Sequence, residues 1–405
     1  MTVTTPEIRS LLPAAEALLP ELVAIRRRLH RRPELGLNLP ETQVVVVEEL
    51  EKLGLRAQSG TRSSSVVAVI EGSAPGPTVL LRADMDALAV AEQTGLEFSS
   101  QNAGTMHACG HDAHIAMLLG AARLLVERRS TIAGRVLLMF QPGEEGLFGA
   151  RVMLEEGLLD LAGPVRPSSA FALHIFTMYP ASTIGIRPGP IMASADTLRI
   201  VIRGRGGHAS NPSGALDPIT IAAELIIALQ TMITRQVSVF DPAVITIAHV
   251  TAGTTDNIIP ESAALEGTIR TLSERSRKLV HAAIPQLAQG IAGAHGASAE
   301  VEIILGYPVT VNDPQIAELA RATAVELLGA DLVPTLDQPI MTAEDFSYVL
   351  EQVPGAMAFL GGRPAGQDPA DAPTNHSNRV IFDEGAMATG AATYAAVALR
   401  SLARI

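Results

Sequence analysis

The feature that most constrains this chain is a series of short, nearly uninterrupted apolar runs bounded by Gly, Pro or polar clusters, at 66–70, 79–81, 136–140 and 171–173. Runs this short and this apolar belong to strands buried on both faces, which predicts a mostly parallel sheet. Between the second and third runs, Ile115, Leu118, Leu119, Ala122 and Leu125 recur at helical spacing, with Asp112 placed to cap that helix. Earlier amphipathic patterns predict helices at 14–29 and 42–53, the second stopped by Gly54. Strands alternating with helices imply an α/β layer architecture.

The middle of the chain follows another rhythm. Leu198, Ile200 and Ile202 alternate with polar neighbours, as in a half-exposed strand. A helix at 218–234, strands at 243–250 and 263–271, a helix at 274–291 and a strand at 300–305 follow. This β-α-β-β-α-β order is the ferredoxin-like arrangement. It predicts an inserted α+β domain at 193–306, interrupting a larger α/β domain formed by 1–192 and 307–405. The larger domain resumes with a helix at 314–328.

Composition narrows the function classes. With 47% hydrophobic and 18% charged residues the chain can bury large cores and is not a disordered sequence. The absence of Trp and a net charge of −12 argue against a nucleic-acid partner and against an anionic membrane surface. No basic-then-apolar leader and no uncharged apolar run of about eighteen residues is visible. The single cysteine, Cys109, rules out an intramolecular disulfide and fits a reducing, cytoplasmic setting.

Polar residues fall where such a sheet presents ligands, beyond the carboxyl ends of its strands. Asp84 and Asp86 follow the second run, Glu144 and Glu145 follow the third after Pro142-Gly143, and His174 ends the fourth. The densest segment is Met106-His107-Ala108-Cys109-Gly110-His111-Asp112-Ala113-His114. In an extended turn, which Gly110 permits, Cys109 and His111 can face one point, and a following helix N-terminus favours thiolate. Taken singly, each is unremarkable: a lone Cys is usually a small buried hydrophobe, adjacent Glu residues a solvated pair, and a strand-end His a satisfied polar group. Their convergence on one rim is what predicts a metal centre. Thiolate, imidazole and carboxylate together suit zinc, with manganese, cobalt or nickel as alternatives.

The chain resembles the amidohydrolase/carboxypeptidase branch of the dinuclear metallopeptidases, which includes aminoacylase-like, hippurate-hydrolase-like and indole-acetyl-amino-acid-hydrolase-like enzymes. The resemblance runs nearly end to end. It rests on the segments Arg26-Arg27-Arg28-Leu29-His30-Arg31-Arg32-Pro33-Glu34, Arg82-Ala83-Asp84-Met85-Asp86-Ala87-Leu88 and His107 to His114. It continues through Phe140-Gln141-Pro142-Gly143-Glu144-Glu145-Gly146, Gly207-His208-Ala209-Ser210, Asn257-Ile258-Ile259-Pro260 and Glu344-Asp345-Phe346. Ala89 stands where the family has Pro, and Ala343 where it has Ser.

The resemblance implies a metal-binding αβα catalytic domain with an inserted ferredoxin-like domain that serves as lid and dimerisation element. It implies two divalent ions per chain held by Cys109, His111, Glu145, His174 and His376. Glu144 is then the general base and later acid, and Asp86 supports the metal shell. His208 polarises the scissile carbonyl, while Asn257 and Arg270 hold substrate polar groups and its carboxylate. The implied reaction is hydrolysis of the amide bond of an N-acyl amino acid. A dipeptidase, carboxypeptidase or diaminopimelate-type deacylase is the alternative on the same site. His208 and Asn257 would otherwise be solvated turn residues and Arg270 a surface charge. A cysteine hydrolase using Cys109 as nucleophile leaves the Glu pair and His376 unexplained. The half-exposed strand at 197–203 and its neighbours offer an edge or helical face for a homodimer.

Overall fold

The structure is a computed structural model that describes residues 5–163 and 165–403. Its main elements in chain order are α1 (Leu11–His30), α2 (Pro40–Lys52), β1 (Val66–Glu71), β2 (Ala74–Asp84), α3 (His111–Val126), β3 (Ala133–Gln141), β4 (Pro167–Pro180), β5 (Asp196–Arg203), α4 (Pro218–Gln236), β6 (Ala243–Ala252), β7 (Ser262–Thr271), α5 (Glu274–Ala294), β8 (Ser298–Ile304), α6 (Pro314–Leu328), β9 (Gly355–Arg363) and α7 (Ala386–Ala403). They form two compact units. One comprises Met1–Ile191, Val311–Gln338 and Tyr348–Ile405, and the other Met192–Thr310 with Pro339–Ser347.

The first unit is built on a seven-stranded sheet in which β1, β3, β2, β4 and β9 lie side by side, with short strands at both edges. The sheet is mixed. β3, β2, β4 and β9 run parallel, while β1 pairs antiparallel with β3. The expected parallel sheet is therefore confined to the four central strands. β1 leads into β2 through the short turn at Gly72-Ser73, which reverses the chain, so β1 runs opposite to β2 and therefore antiparallel to β3, which lies between them. The central strands are buried on both faces, as Val79, Leu80 and Leu81 show. Leu22, Leu118, Ala121, Ala391 and Ala395, from α1, α3 and α7, join the same core.

Two elements of this core went unread in the sequence. β9 is an eight-residue buried run followed by Arg363, and α7 is so rich in alanine that it has no polar face to mark a helical period. The expected cap at Asp112 is also absent. Helix α3 begins at His111, behind Gly110 in the left-handed conformation, and no side chain caps it. The Asp112 carboxylate turns away to Arg26 and His30.

The second unit holds a four-stranded antiparallel sheet in the order β6-β7-β5-β8. Alternation along β5 puts Leu198, Ile200 and Ile202 on the buried face, against Ile221, Leu225 and Leu229 of α4 and Val280, Ile284 and Ala288 of α5. Both helices are capped by side chains, Asp217 to Ile219 N and Ser273 to Ser276 N. Among the described residues only α4 has the length and apolar content of a bilayer-crossing helix. It carries Glu224 and turns Ile221, Leu225, Leu229 and Met232 inward.

Candidate metal centre

The sheet register brings the carboxylate segments together. β2 and β3 are parallel neighbours, with Asp84 opposite Gln141, so the chain leaving each strand emerges at one rim. After β3 the backbone turns at Gly143 (φ +71°), where a Cβ would come within 2.5 Å of the Leu37 side chain. Glu144 and Glu145 follow. The Asp86 carboxylate accepts both of their backbone N–H groups, Glu144 N at 2.9 Å and Glu145 N at 3.0 Å. One buried carboxylate thus uses both oxygens to set the turn that carries the glutamate pair.

The Asp86 backbone carbonyl accepts Nδ1–H of His111 at 2.7 Å, which leaves His111 Nε2 as the ring's open nitrogen. Gly110, between Cys109 and His111, adopts φ +89°, and a Cβ there would lie 2.4 Å from Ile175 Cγ2. Only glycine allows the turn to press so closely on β4. His174 lies within β4 rather than at its end, since the strand continues to Pro180. Its Nδ1–H donates to the Ile175 carbonyl at 3.0 Å, and its Nε2 stands 3.4 Å from Cys109 Sγ.

His376 arrives from a distant segment in the left-handed conformation (φ +69°), with its backbone N–H donated to Ala108 O at 2.8 Å. Its Nε2 lies 3.3 Å from Glu145 Oε1. The neighbouring Asn375, which the sequence reading passed over, ties this segment down. Its amide donates to the carbonyls of Cys109 (3.2 Å) and Ile175 (2.8 Å), and its Oδ1 accepts Thr177 N–H. Only its place next to His376 could have drawn attention to it.

These donors fall into overlapping groups whose ligand atoms lie within 4.8 Å of one another: Cys109, His111 and His174; Cys109, Glu145 and His376; and His111, Glu144 and Glu145. Cys109 belongs to two of them. His111 Nε2 and Glu145 Oε1 are buried yet make no hydrogen bond, an arrangement proteins avoid unless a ligand completes it. His114 is different. Its Nδ1–H serves Asp84 and its Nε2 accepts Ile175 N–H, so both nitrogens are taken.

Charge supports the same reading. Burial opposes protonation of His111, but Asp84 and Cys109 outweigh it and hold its pKa well above the usual value. Cys109 and Glu145 raise His376 to about 10. Burial and nearby His114 push His174 well below the usual value, so its Nε2 carries a lone pair. The thiolate expected at the helix N-terminus is not favoured by the protein alone, because burial and Glu145 push the Cys109 thiol up. A cluster whose negative charge draws protons onto two imidazoles is one that a divalent cation can occupy in their place. Sulfur, nitrogen and oxygen donors of this kind fit such an ion.

The other expected residues lie in the second unit. His208 pairs with Ile258 across a short antiparallel ladder, and Ala209 N–H donates to the Asn257 carbonyl, so the His208 and Asn257 turns are adjacent. His208 Nδ1 accepts Ser210 N–H at 3.1 Å, which directs an Nε2–H donor outward. Arg270 is half-buried on β7, where its Nη1 donates to the Ile269 carbonyl, and it forms no ion pair among the described residues.

This fold and donor set define a metal-dependent hydrolase. The chain belongs to peptidase family M20/M25/M40, whose model matches residues 80–400. It is 40% identical over 383 residues to thermostable carboxypeptidase 1 of Saccharolobus solfataricus, covering 94% of this chain and 95% of that one. It is 39% identical over 349 residues to an N-acetylcysteine deacetylase of Bacillus subtilis, covering 86% and 90%. The solved structure of the Bacillus subtilis YXEP protein, a dinuclear metal-binding peptidase of the M20 family, superposes with a TM-score of 0.82 at 34% identity, covering 96% of this chain and 99% of that one.

Proposed function

We propose that this enzyme hydrolyses the amide bond of N-acyl amino acids, releasing a carboxylic acid and an amino acid. The observation that carries the reading is the convergence of Cys109, His111, His174, Glu145 and His376, with two buried donor atoms left open, beside Glu144. These five residues hold two divalent ions, zinc or manganese, with cobalt or nickel as alternatives. When bound, the ions lower the pKa of water and polarise the substrate carbonyl. Glu144 takes a proton from the attacking water and delivers it to the leaving amine. Asp86 acts by fixing the glutamate turn and the His111 ring. His208 offers its Nε2–H to the carbonyl oxygen, Asn257 binds a substrate polar group, and Arg270 grips the free carboxylate through its two-pronged guanidinium. The second unit, whose strand order supports a ferredoxin-like reading, serves as lid and as the face of a homodimer, with the inserted segment at 193–306.

The name of the deacetylase relative supports an acylated amino acid as substrate, and that of the carboxypeptidase supports a peptide. A panel of N-acetyl and N-benzoyl amino acids, their carboxamides, dipeptides and N-succinyl diaminopimelate, tested on zinc- and manganese-loaded protein, separates them. N-acyl amino acids are expected to lead dipeptides by about tenfold or more in kcat/KM, a difference that one well-placed contact can supply. A lead for dipeptides replaces this reading with the peptidase one.

A further inference from the structure

Behind the Cys109–Gly110–His111 turn lies a buried network that the reaction above does not use. Arg26 and His30 stand four residues apart near the end of α1, hence on one face of it. Both point at the same oxygen: Arg26 Nε donates to Asp112 Oδ2 at 3.1 Å and His30 Nδ1 at 2.8 Å. All three side chains are buried, and Asp112 directly follows His111 at the start of α3.

The network reaches the turn from a second side. Arg26 Nη1 donates to the carbonyl of Phe382 at 3.4 Å. The Phe382 ring lies against Gly110, close enough that a Cβ there would be 3.2 Å from it. His30 continues outward through Nε2 to Glu92, at 3.4 Å, and Glu92 in turn accepts Ser100 N–H at 2.7 Å. Two residues of one helix therefore brace the start of α3 through Asp112 and the floor of Gly110 through Phe382. None of their donors is directed at the ligand cluster itself.

We infer that Arg26 and His30 are positioning residues for the metal centre, holding the Cys109–Gly110–His111 turn in its ligating shape through Asp112 and Phe382. The inference rests on the metal reading above. It makes their loss a defect of metal retention, beyond any effect on folding. Partners that orient a ligand from behind commonly change metal affinity ten- to a hundredfold when removed.

Cobalt-loaded protein provides the test, since the thiolate-to-cobalt absorption band reports on Cys109 and a chelator reports on release. His30→Leu removes the donor to Asp112, whereas His30→Asn keeps an amide N–H near the position of Nδ1. His30→Leu is expected to release cobalt to EDTA about tenfold faster than the unaltered protein, with a weakened or shifted thiolate band, and His30→Asn to recover most of both. Thermal unfolding of the metal-free proteins measures the purely structural share. An unchanged release rate and band in His30→Leu, with only metal-free stability lowered, overturns the inference. If His30→Leu does not fold, Arg26→Lys, which keeps the charge but loses the Nε–H donor, gives the same reading under the same criteria. Failure of the unaltered protein to take up cobalt is a separate result and overturns the metal reading, and this inference with it.

Discussion

Two aspartates, one in each unit, collect an arginine and a histidine from four residues apart on a single helix. Asp112 takes Arg26 and His30 from α1, and Asp196 takes Arg277 and His281 from α5. The two constellations close differently. Asp196 receives four hydrogen bonds, with Arg277 Nη2 (2.6 Å) and Gly306 N (2.9 Å) on Oδ1 and Arg277 Nε (2.9 Å) and His281 Nε2 (2.8 Å) on Oδ2. Asp112 has both partners on Oδ2, and its Oδ1 is buried with none. His107, near it, has two buried ring nitrogens without partners, and His111 Nε2 and Glu145 Oε1 are open too. A closed buried network holds a fold, while a run of open polar atoms marks a place where stability is given up for something the protein binds.

Breaking the two kinds of residue should therefore fail in opposite ways. The largest effect belongs to the open region. Glu144→Gln keeps size and hydrogen-bonding shape but removes the proton acceptor, so turnover should fall by roughly a hundredfold or more with metal content intact. Glu145→Gln removes a charged donor, so metal affinity should fall and added metal should restore part of the activity. In metal-free protein the cost to stability should be small beside these effects, about 1 kcal/mol or less for Glu145→Gln, which weakens the contact with the half-exposed His376 Nε2 at 3.3 Å. Metal content, turnover and urea unfolding on both variants make the comparison. Loss of metal from Glu144→Gln with retention by Glu145→Gln reverses the two roles.

The closed region should show the converse. Asp196→Ala strips a buried guanidinium of its main partner, and breaking a buried pair from one side costs on the order of 3 kcal/mol. Glu274 Oε1, 3.0 Å from Arg277 Nη1, offsets part of that. Urea unfolding should register the loss, while metal bound per folded chain stays the same. Metal loss without destabilisation would make Asp196 the functional aspartate and dissolve the contrast between the units.

Much of this was legible in the sequence because short apolar runs and turn glycines act locally. The central strands, the alternation at Leu198, Ile200 and Ile202, and the Glu144–Glu145 turn all follow from residues near each other in the chain. The long-range pieces were not legible. Nothing around Asn375 indicates that its amide will bridge Cys109 and Ile175. Nor does anything around Asp112 say that Arg26, 86 residues earlier, will turn it from a helix cap into the anchor of a buried network. Asp86 was expected near the metal shell, but its contacts with two backbone N–H groups appear only once β2 and β3 lie side by side.

The smallest expected effect is a pH dependence. His30 is faced by Asp112 from α3, Arg26 from its own helix, Glu92 from the loop that follows β2, and His107 from the segment before α3. Burial opposes its charge, but Asp112 and Glu92 outweigh burial and raise its pKa to about 9. In the unfolded chain a histidine titrates near 6.5. A group whose pKa rises on folding stabilises fully below its unfolded value, and that contribution is lost as pH climbs through the folded value. The stability advantage of the unaltered protein over His30→Asn, which does not titrate, should thus be greatest at pH 6 and shrink steadily towards pH 9. Its decline should be on the order of 1 kcal/mol, measured by urea unfolding of metal-free protein. An advantage that stays level or grows with pH would mean that His30 is neutral in the fold. Asp112 would then hold a single cation, Arg26, with His30 serving it as a neutral hydrogen-bond donor.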